Sequence, residues 1–193
     1  MIRVAVVDDH PALRAGLQTV LDAEPHIVFV GESDGAEENI WPMLTRVRPD
    51  VVLLDYHLPR GDGLQLCYRI KKDVPAPRVI IFTAYASPAM ALPATLARAD
   101  GVLAKGAGAR DLFSAIRLVY AGEQLLPPIS ATVLEEATAD LYGDDPALIG
   151  MLLDGAGEAD VAQTLRIPVK DVRHSVQRIL SALRIDVPAA RAE

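Results

Sequence analysis

Five short apolar runs, each rich in β-branched residues, constrain this chain more than any other feature. They are Ile2–Val7, Ile27–Val30, Val51–Leu54, Val79–Phe82 and the weaker Gly101–Leu103, separated by helix-length segments of mixed polarity. Strands that alternate with helices build βαβ units, and such units build a parallel sheet covered on both faces. Five of them predict a doubly wound α/β sheet whose ligand site lies beyond the carboxyl ends of the strands.

The residues that follow the strands carry the chemistry. Strand one ends in Asp8-Asp9, strand three in Asp55, strand four in Thr83 and strand five in Lys105. In a 2-1-3-4-5 strand order, strands one and three are neighbours at the switch point. Three carboxylates then meet at one edge of the sheet, facing a hydroxyl and an ammonium. Clustered carboxylates repel one another, so they need raised pKa values or a cation among them. A small oxygen-seeking ion such as Mg²⁺ is the simplest answer. Singly, an Asp after a strand is usually a turn residue or a helix cap. Five polar groups at one end of one sheet point instead to a site.

Composition bounds the remaining classes. With 51% hydrophobic and 23% charged residues, the 193-residue chain is neither disordered, collagen-like nor a disulfide scaffold. The single cysteine, Cys67, leaves no intrachain disulfide and fits a reducing compartment. No apolar run reaches membrane-spanning length, and Asp8-Asp9 follow the first apolar run directly, unlike a signal peptide. These features predict a cytoplasmic chain with no membrane partner. A net charge of -7 would argue against nucleic acid if it were spread evenly. It is not, because residues 123–143 hold four acids and no base, while residues 1–122 hold 14 acids and 13 bases.

That asymmetry divides the chain into a domain of residues 1–122, an acidic linker of residues 123–145, and a small all-α domain of residues 146–193. The first domain closes with a helix over Asp111–Ala121, and the linker carries helical spacing over Ile129–Leu141. The last domain reads as helices over Ala147–Leu153, Ala159–Leu165 and Val169–Leu183, with a short turn at Arg166-Ile167 and Pro168 as first helical residue. Two helices about a tight turn, the second with bases on its outer face, form a helix-turn-helix layout. Geometry alone also allows a three-helix bundle used for protein contact.

Residues 1–122 resemble a receiver domain of the two-component response regulators. The resemblance rests on VVDDHPALRAGL, PDVVLLDYHLPRGDGLQL, VIIFTA and GVLAKGA, with His10-Pro11 and Lys105-Gly106-Ala107 similar to the NarL/FixJ class. It implies a flavodoxin-like, five-stranded receiver in which Asp55 accepts a phosphoryl group from a sensor histidine kinase. Asp8, Asp9, Asp55 and the backbone carbonyl of His57 would hold Mg²⁺, and Thr83 and Lys105 would contact the phosphoryl oxygens. The chain would then be a phosphoacceptor regulator, not an enzyme, apart from Mg-assisted phosphotransfer to itself and autodephosphorylation. A metal-dependent phosphatase on a similar sheet lacks a recognisable substrate pocket.

The string DVAQTLRIPVKDVRHSVQRILSALRI resembles a LuxR-type DNA-binding domain at Gly155, Val161, Ala162, Leu165, Ile167, Val172, Arg173, Ile179, Leu180 and Leu183. The resemblance implies control of transcription, with Lys170, Arg173, His174 and Gln177 presented to the major groove and a homodimer among the assemblies. Arg173 would suit guanine and Gln177 adenine. From Arg166 to Arg184 there are five bases and one acid, Asp171.

Several positions depart from the family pattern. Val102 replaces the usual switch aromatic, with Tyr85 as a substitute or simply a loop residue. The fourth helix begins either at Ser87-Pro88 or near Pro93. His57 reads as a solvent-facing loop residue or as one that tunes phosphoryl lifetime. Gly157, Glu158 and Ala159 stand where the family has Ser/Thr, Asn and Lys, while Asp171, Ser175 and Ala182 replace further polar contacts. The last helix is reduced to Pro188–Glu193. These losses keep a second function open, in which the helix-turn-helix serves protein contact or autoregulation.

Overall fold

The computed structural model describes residues 1–59, 61–72, 75–139 and 143–183. The five apolar runs form β1 (Ile2–Val7), β2 (Ile27–Ser33), β3 (Val51–Asp55), β6 (Arg78–Thr83) and β7 (Gly101–Ala104). They lie parallel in the order β2-β1-β3-β6-β7. A two-stranded antiparallel turn, β4 (His57–Leu58) with β5 (Gly61–Asp62), stands beside this sheet. The 2-1-3 core order and the parallel sense are those the sequence predicts.

Strand alternation sorts the core into two layers. Val4, Val6, Leu53, Ile80 and Phe82 face α1 (Pro11–Asp22) and α5 (Ala109–Tyr120), where Leu17, Leu21, Leu112 and Ile116 meet them. Ala5, Val7, Val52, Leu54 and Ile81 face α2 (Glu37–Val47), α3 (Gly63–Ile70) and α4 (Ala91–Leu96). Each fully buried Val or Leu adds roughly 1.5–3 kcal/mol, so both faces must stay covered. Cys67 lies in the second layer, fully buried, and burial pushes its thiol far above the ordinary range.

The fourth helix combines both expected starts. Pro88–Met90 form a 3₁₀ turn after Ser87, whose side chain makes no cap, and the α-helix follows from Ala91. Pro93 falls in the first turn of that helix, where a missing N–H breaks no ladder bond.

Beyond Gly122 the chain stays on the sheet edge. Val102 N–H donates to Leu125 O at 2.9 Å, and Leu125 N–H donates to Asp100 O at 2.8 Å. The edge of β7 is thereby partly paired, which blunts its unsatisfied backbone. The linker helix is α6 (Ala131–Thr138), shorter than the expected span, part of which lies outside the described residues.

The last helices are α7 (Asp145–Leu153), α8 (Glu158–Leu165) and α9 (Val169–Ala182). Arg166 closes α8 in the left-handed region at φ 56°, making the tight turn. Pro168 occupies the N-cap, one place earlier than expected, with ψ 145° holding it outside the helix. Val172, Val176, Ile179 and Leu180 pack inward from α9 and join the layer under α2, α3 and α4. Arg178 of α9 reaches the buried Asp145 of α7 at 2.6 Å. The segment Pro188–Glu193 lies outside the described residues. No helix among the described residues is long and apolar enough to cross a membrane.

One glycine ties the fold to the carboxyl edge of the sheet. Asp62 caps α3, its Oδ1 accepting from Leu64 N–H at 2.8 Å, and Gly63 then passes against the backbone of β3. A Cβ on Gly63 would sit 2.0 Å from Asp55 O and 2.9 Å from Tyr56 Cα. Backbone atoms there cannot step aside cheaply. Gly63→Ala is expected to cost about 2 kcal/mol or more, in line with overpacked cores. Urea unfolding with an unchanged midpoint would contradict this approach.

Candidate functional site

Parallel register brings four strand ends level. Asp55 closes β3 opposite Phe82, and Thr83 closes β6 opposite Ala104. Lys105 follows at once, its N–H donating to Thr83 O at 2.7 Å. Asp8 follows β1, with its N–H on Ser33 O at 3.1 Å and its carbonyl accepting from Arg14 Nη1 at 2.7 Å. The loops are thus held by backbone bonds, leaving the side chains to converge.

Asp8, Asp55 and Thr83 are buried, whereas Asp9 is partly exposed. The Lys105 ammonium lies 2.7 Å from Asp8 Oδ2 and 2.9 Å from Asp55 Oδ2. Burial pushes the Asp55 carboxyl up more than Lys105 pulls it down, and the nearby Asp8 adds to the rise. Burial works against the Lys105 charge, but the two carboxylates outweigh it and hold its proton above the usual lysine range. Thr83 Oγ1 accepts from Tyr85 N–H at 3.1 Å. Tyr85 is exposed, its ring 6.2 Å from that of His57, and the half-buried Val102 takes no aromatic part. His57 is exposed as read, stacked edge-on against Tyr56 at 4.4 Å, while its backbone N–H bonds the Asp55 carboxylate.

Sequence reasoning used His10 only as a mark of resemblance. Its Nδ1 lies 2.7 Å from Asp9 Oδ1 and 3.1 Å from Asp8 Oδ1. One donor atom each from Asp8, Asp9, His10 and Asp55 falls within 4.8 Å of the others. The donor set suits a divalent ion. Three carboxylates against one ammonium leave two negative charges in a confined space, and a hard dication offsets them.

The expected reading residues share one face of α9. Lys170, Arg173 and His174 are exposed and Gln177 is half-buried, opposite Val172, Val176 and Ile179. Ser181 lies on that same face by helical spacing. It accepts from Gln65 Nε2 of α3 at 2.7 Å, so the face meets the first domain. Arg173 Nε pairs with Glu158 Oε2 at 2.7 Å, and Tyr68 OH of α3 donates to Glu158 Oε1 at 2.7 Å. Arg98 approaches Glu158 at 3.8 Å. Burial raises the Glu158 carboxyl, but Arg173 and Tyr68 outweigh it and hold it below the usual range. Gln65, Tyr68 and Arg98 have no local sequence signal for this role, because they act across domains.

The response regulator receiver domain family matches residues 4–117. The DNA-binding transcriptional activator DevR/DosR of Mycobacterium tuberculosis is 32% identical, covering 96% of this chain and 90% of that protein. The transcriptional regulatory protein LiaR of Bacillus subtilis is 27% identical over 96% of this chain and 92% of its own. The response regulator ChrA of a heme-sensing two-component system is similar in structure, with TM-score 0.55 and 30% identity over 96% of this chain and 92% of that one. RcsB of Salmonella enterica serovar Typhimurium, solved bound to promoter rprA, shares the fold at TM-score 0.59 and 22% identity, covering 97% of this chain and 94% of that one. With the site and both helical layers in place, the chain belongs to the two-component response regulators of the NarL/FixJ class.

Proposed function

We propose that a sensor histidine kinase phosphorylates Asp55 and that the chain controls transcription by binding DNA through α8 and α9. The buried Asp55 carboxylate, 2.9 Å from the Lys105 ammonium and beside Asp8, carries this reading. Asp55 serves as nucleophile toward the phosphohistidine, and Lys105 offsets charge on the phosphoryl oxygens. Thr83 would donate its hydroxyl to the same oxygens. Asp8, Asp9, Asp55 and the His57 carbonyl would hold Mg²⁺. That ion, when bound, would supply positive charge to offset the phosphoryl oxygens. The chain is its own phosphoacceptor and loses the group by autodephosphorylation, not by turning over a separate substrate.

The division into residues 1–122, 123–145 and 146–193 fits this mechanism, as does a cytoplasmic location. Lys170, Arg173, His174 and Gln177 would read the major groove, in a homodimer whose two helices address two half-sites. In the present arrangement Arg173 is paired within the chain and Ser181 is bonded to α3. DNA binding therefore competes with docking on the receiver. Glu158 departs from the family pattern, yet its bonds to Tyr68 and Arg173 give that departure a use without removing the reading face.

An Asp55→Asn protein is expected to incorporate no label from acetyl phosphate with Mg²⁺, whereas wild type does. Retained labelling would sink the assignment of Asp55.

Wild-type binding to DNA should weaken steeply with salt, each phosphate contact contributing a log–log slope of about -0.9. Arg173→Ala should cost roughly 1–3 kcal/mol on a specific site. No binding at low salt, even with a phosphoryl mimic present, would favour the protein-contact function.

Glu158→Gln should free Arg173, weaken the docked face and raise the DNA affinity of unphosphorylated protein about threefold, the size expected for losing one largely exposed ion pair. Its pH dependence has a defined sign. A carboxylate lowered in the fold stabilises above its unfolded pKa of about 4.3 and loses that stabilisation as pH falls through its lower folded value. In urea, wild type should exceed Glu158→Gln near neutrality and converge with it in acid. A constant gap would contradict the role given to the charge.

A further inference from the structure

We propose that His10 is a nitrogen ligand of the acidic site and gives it a preference for a divalent transition ion, such as Ni²⁺ or Co²⁺, over Mg²⁺. This rests on the reading of Asp8, Asp9 and Asp55 as a cation-holding group, and concerns which cation that group favours.

The backbone aims the ring. Pro11 excludes the helical region for the residue before it, and His10 adopts φ -90° and ψ 105°. His10 N–H donates to Asp8 Oδ1 at 2.8 Å, an Asx turn that folds the segment back over the carboxylates. Arg14 fixes the other side of the loop through Asp8 O. The imidazole is otherwise open to solvent, its side chain 68% exposed, so packing does not force Nδ1 inward.

The donor spacing fits a shared ion. Neighbouring ligands of an octahedral ion bound at about 2.1 Å are about 3.0 Å apart. Nδ1 stands 2.7 and 3.1 Å from the two Asp oxygens, on either side of that value. The first contact lacks hydrogen-bond geometry, and Asp9 Oδ1 is buried with no hydrogen-bond donor. The second falls on Asp8 Oδ1, which already accepts the His10 amide. A ring proton bonded to Asp8 leaves Asp9 Oδ1 without a donor, whereas a ring lone pair and two carboxylates can share one cation. Lys105 occupies the Oδ2 atoms of Asp8 and Asp55, leaving the Oδ1 side of Asp8 to that cation.

Ligand chemistry then sets the preference. Mg²⁺ takes oxygen donors and keeps its waters, whereas imidazole suits later first-row ions, whose affinity rises from Mn²⁺ toward Ni²⁺. Replacing one water by a ring nitrogen therefore strengthens Ni²⁺ and Co²⁺ binding while leaving Mg²⁺ little changed.

The test is calorimetric titration of untagged, full-length protein with Ni²⁺ and with Mg²⁺, alongside visible absorption of the Co²⁺ form. His10→Ala should weaken Ni²⁺ binding about tenfold or more and shift the Co²⁺ bands, with Mg²⁺ affinity within about twofold. His10→Asn, which keeps a polar side chain but no ring nitrogen, should behave like His10→Ala. Asp8→Asn should weaken both ions, placing the Ni²⁺ at this site and not at a surface histidine. Equal losses for Ni²⁺ and Mg²⁺ in His10→Ala, or none for Ni²⁺, would overturn the role of His10. Wild type that binds neither ion would overturn the cation-site reading beneath it.

Discussion

Two buried carboxylates, Asp8 and Asp55, share one ammonium at the carboxyl edge of the sheet, and much of the fold serves to keep them there. Removing Lys105 would leave both acids buried without a counter-charge, a loss that typically costs several kcal/mol. The arrangement is tolerable because the strands deliver its members in register. Asp55, Thr83 and Lys105 come from adjacent parallel strands joined by backbone bonds. The site therefore inherits its rigidity from the sheet more than from its loops, which is what a preorganised constellation requires.

That edge is physically continuous with the C-terminal helices. Asp55 O abuts Gly63 at the head of α3, and α3 carries Gln65 to Ser181 and Tyr68 to Glu158. The apolar layer under α3 and α4 continues into Val172, Val176 and Ile179 without a break. Contiguity of this kind supplies a route but is not itself coupling, which needs an element with two arrangements that both ends bias. Docked and undocked α9 would be those two arrangements. Undocking would break the Gln65–Ser181 and Tyr68–Glu158 bonds and expose part of this shared apolar layer, so the balance rests on both.

Much of the receiver was legible because its signals are local or periodic. β-Branched runs mark strands, and the residue after each strand lies at the same end of a parallel sheet whatever the loops do. The tight turn at Arg166 and the buried stripe of α9 follow from short-range pattern too. Other features were not legible for equally physical reasons. His10 gains its orientation from an Asx turn and Pro11 together, and each alone is a commonplace. Leu125 pairs with β7 through backbone atoms, which side-chain pattern does not record. Tyr68 and Gln65 look like ordinary residues of their own helix, and Arg98 like a turn residue after α4, until a second domain is placed against them.

Glu158 shows why a lost motif residue differs from a lost function. Judged against DNA alone, a carboxylate at the start of α8 repels phosphate and reads as decay. In the folded chain it is partly desolvated and bonded on both oxygens, to a tyrosine of the receiver and to the arginine best suited to guanine. It also sits at a helix N-terminus, where negative charge is favoured. The same carboxylate that would oppose DNA in the open form stabilises the docked form. If the helices undock to bind DNA, as proposed, this residue contributes to the difference between the two states, and a difference is what a regulated binder needs.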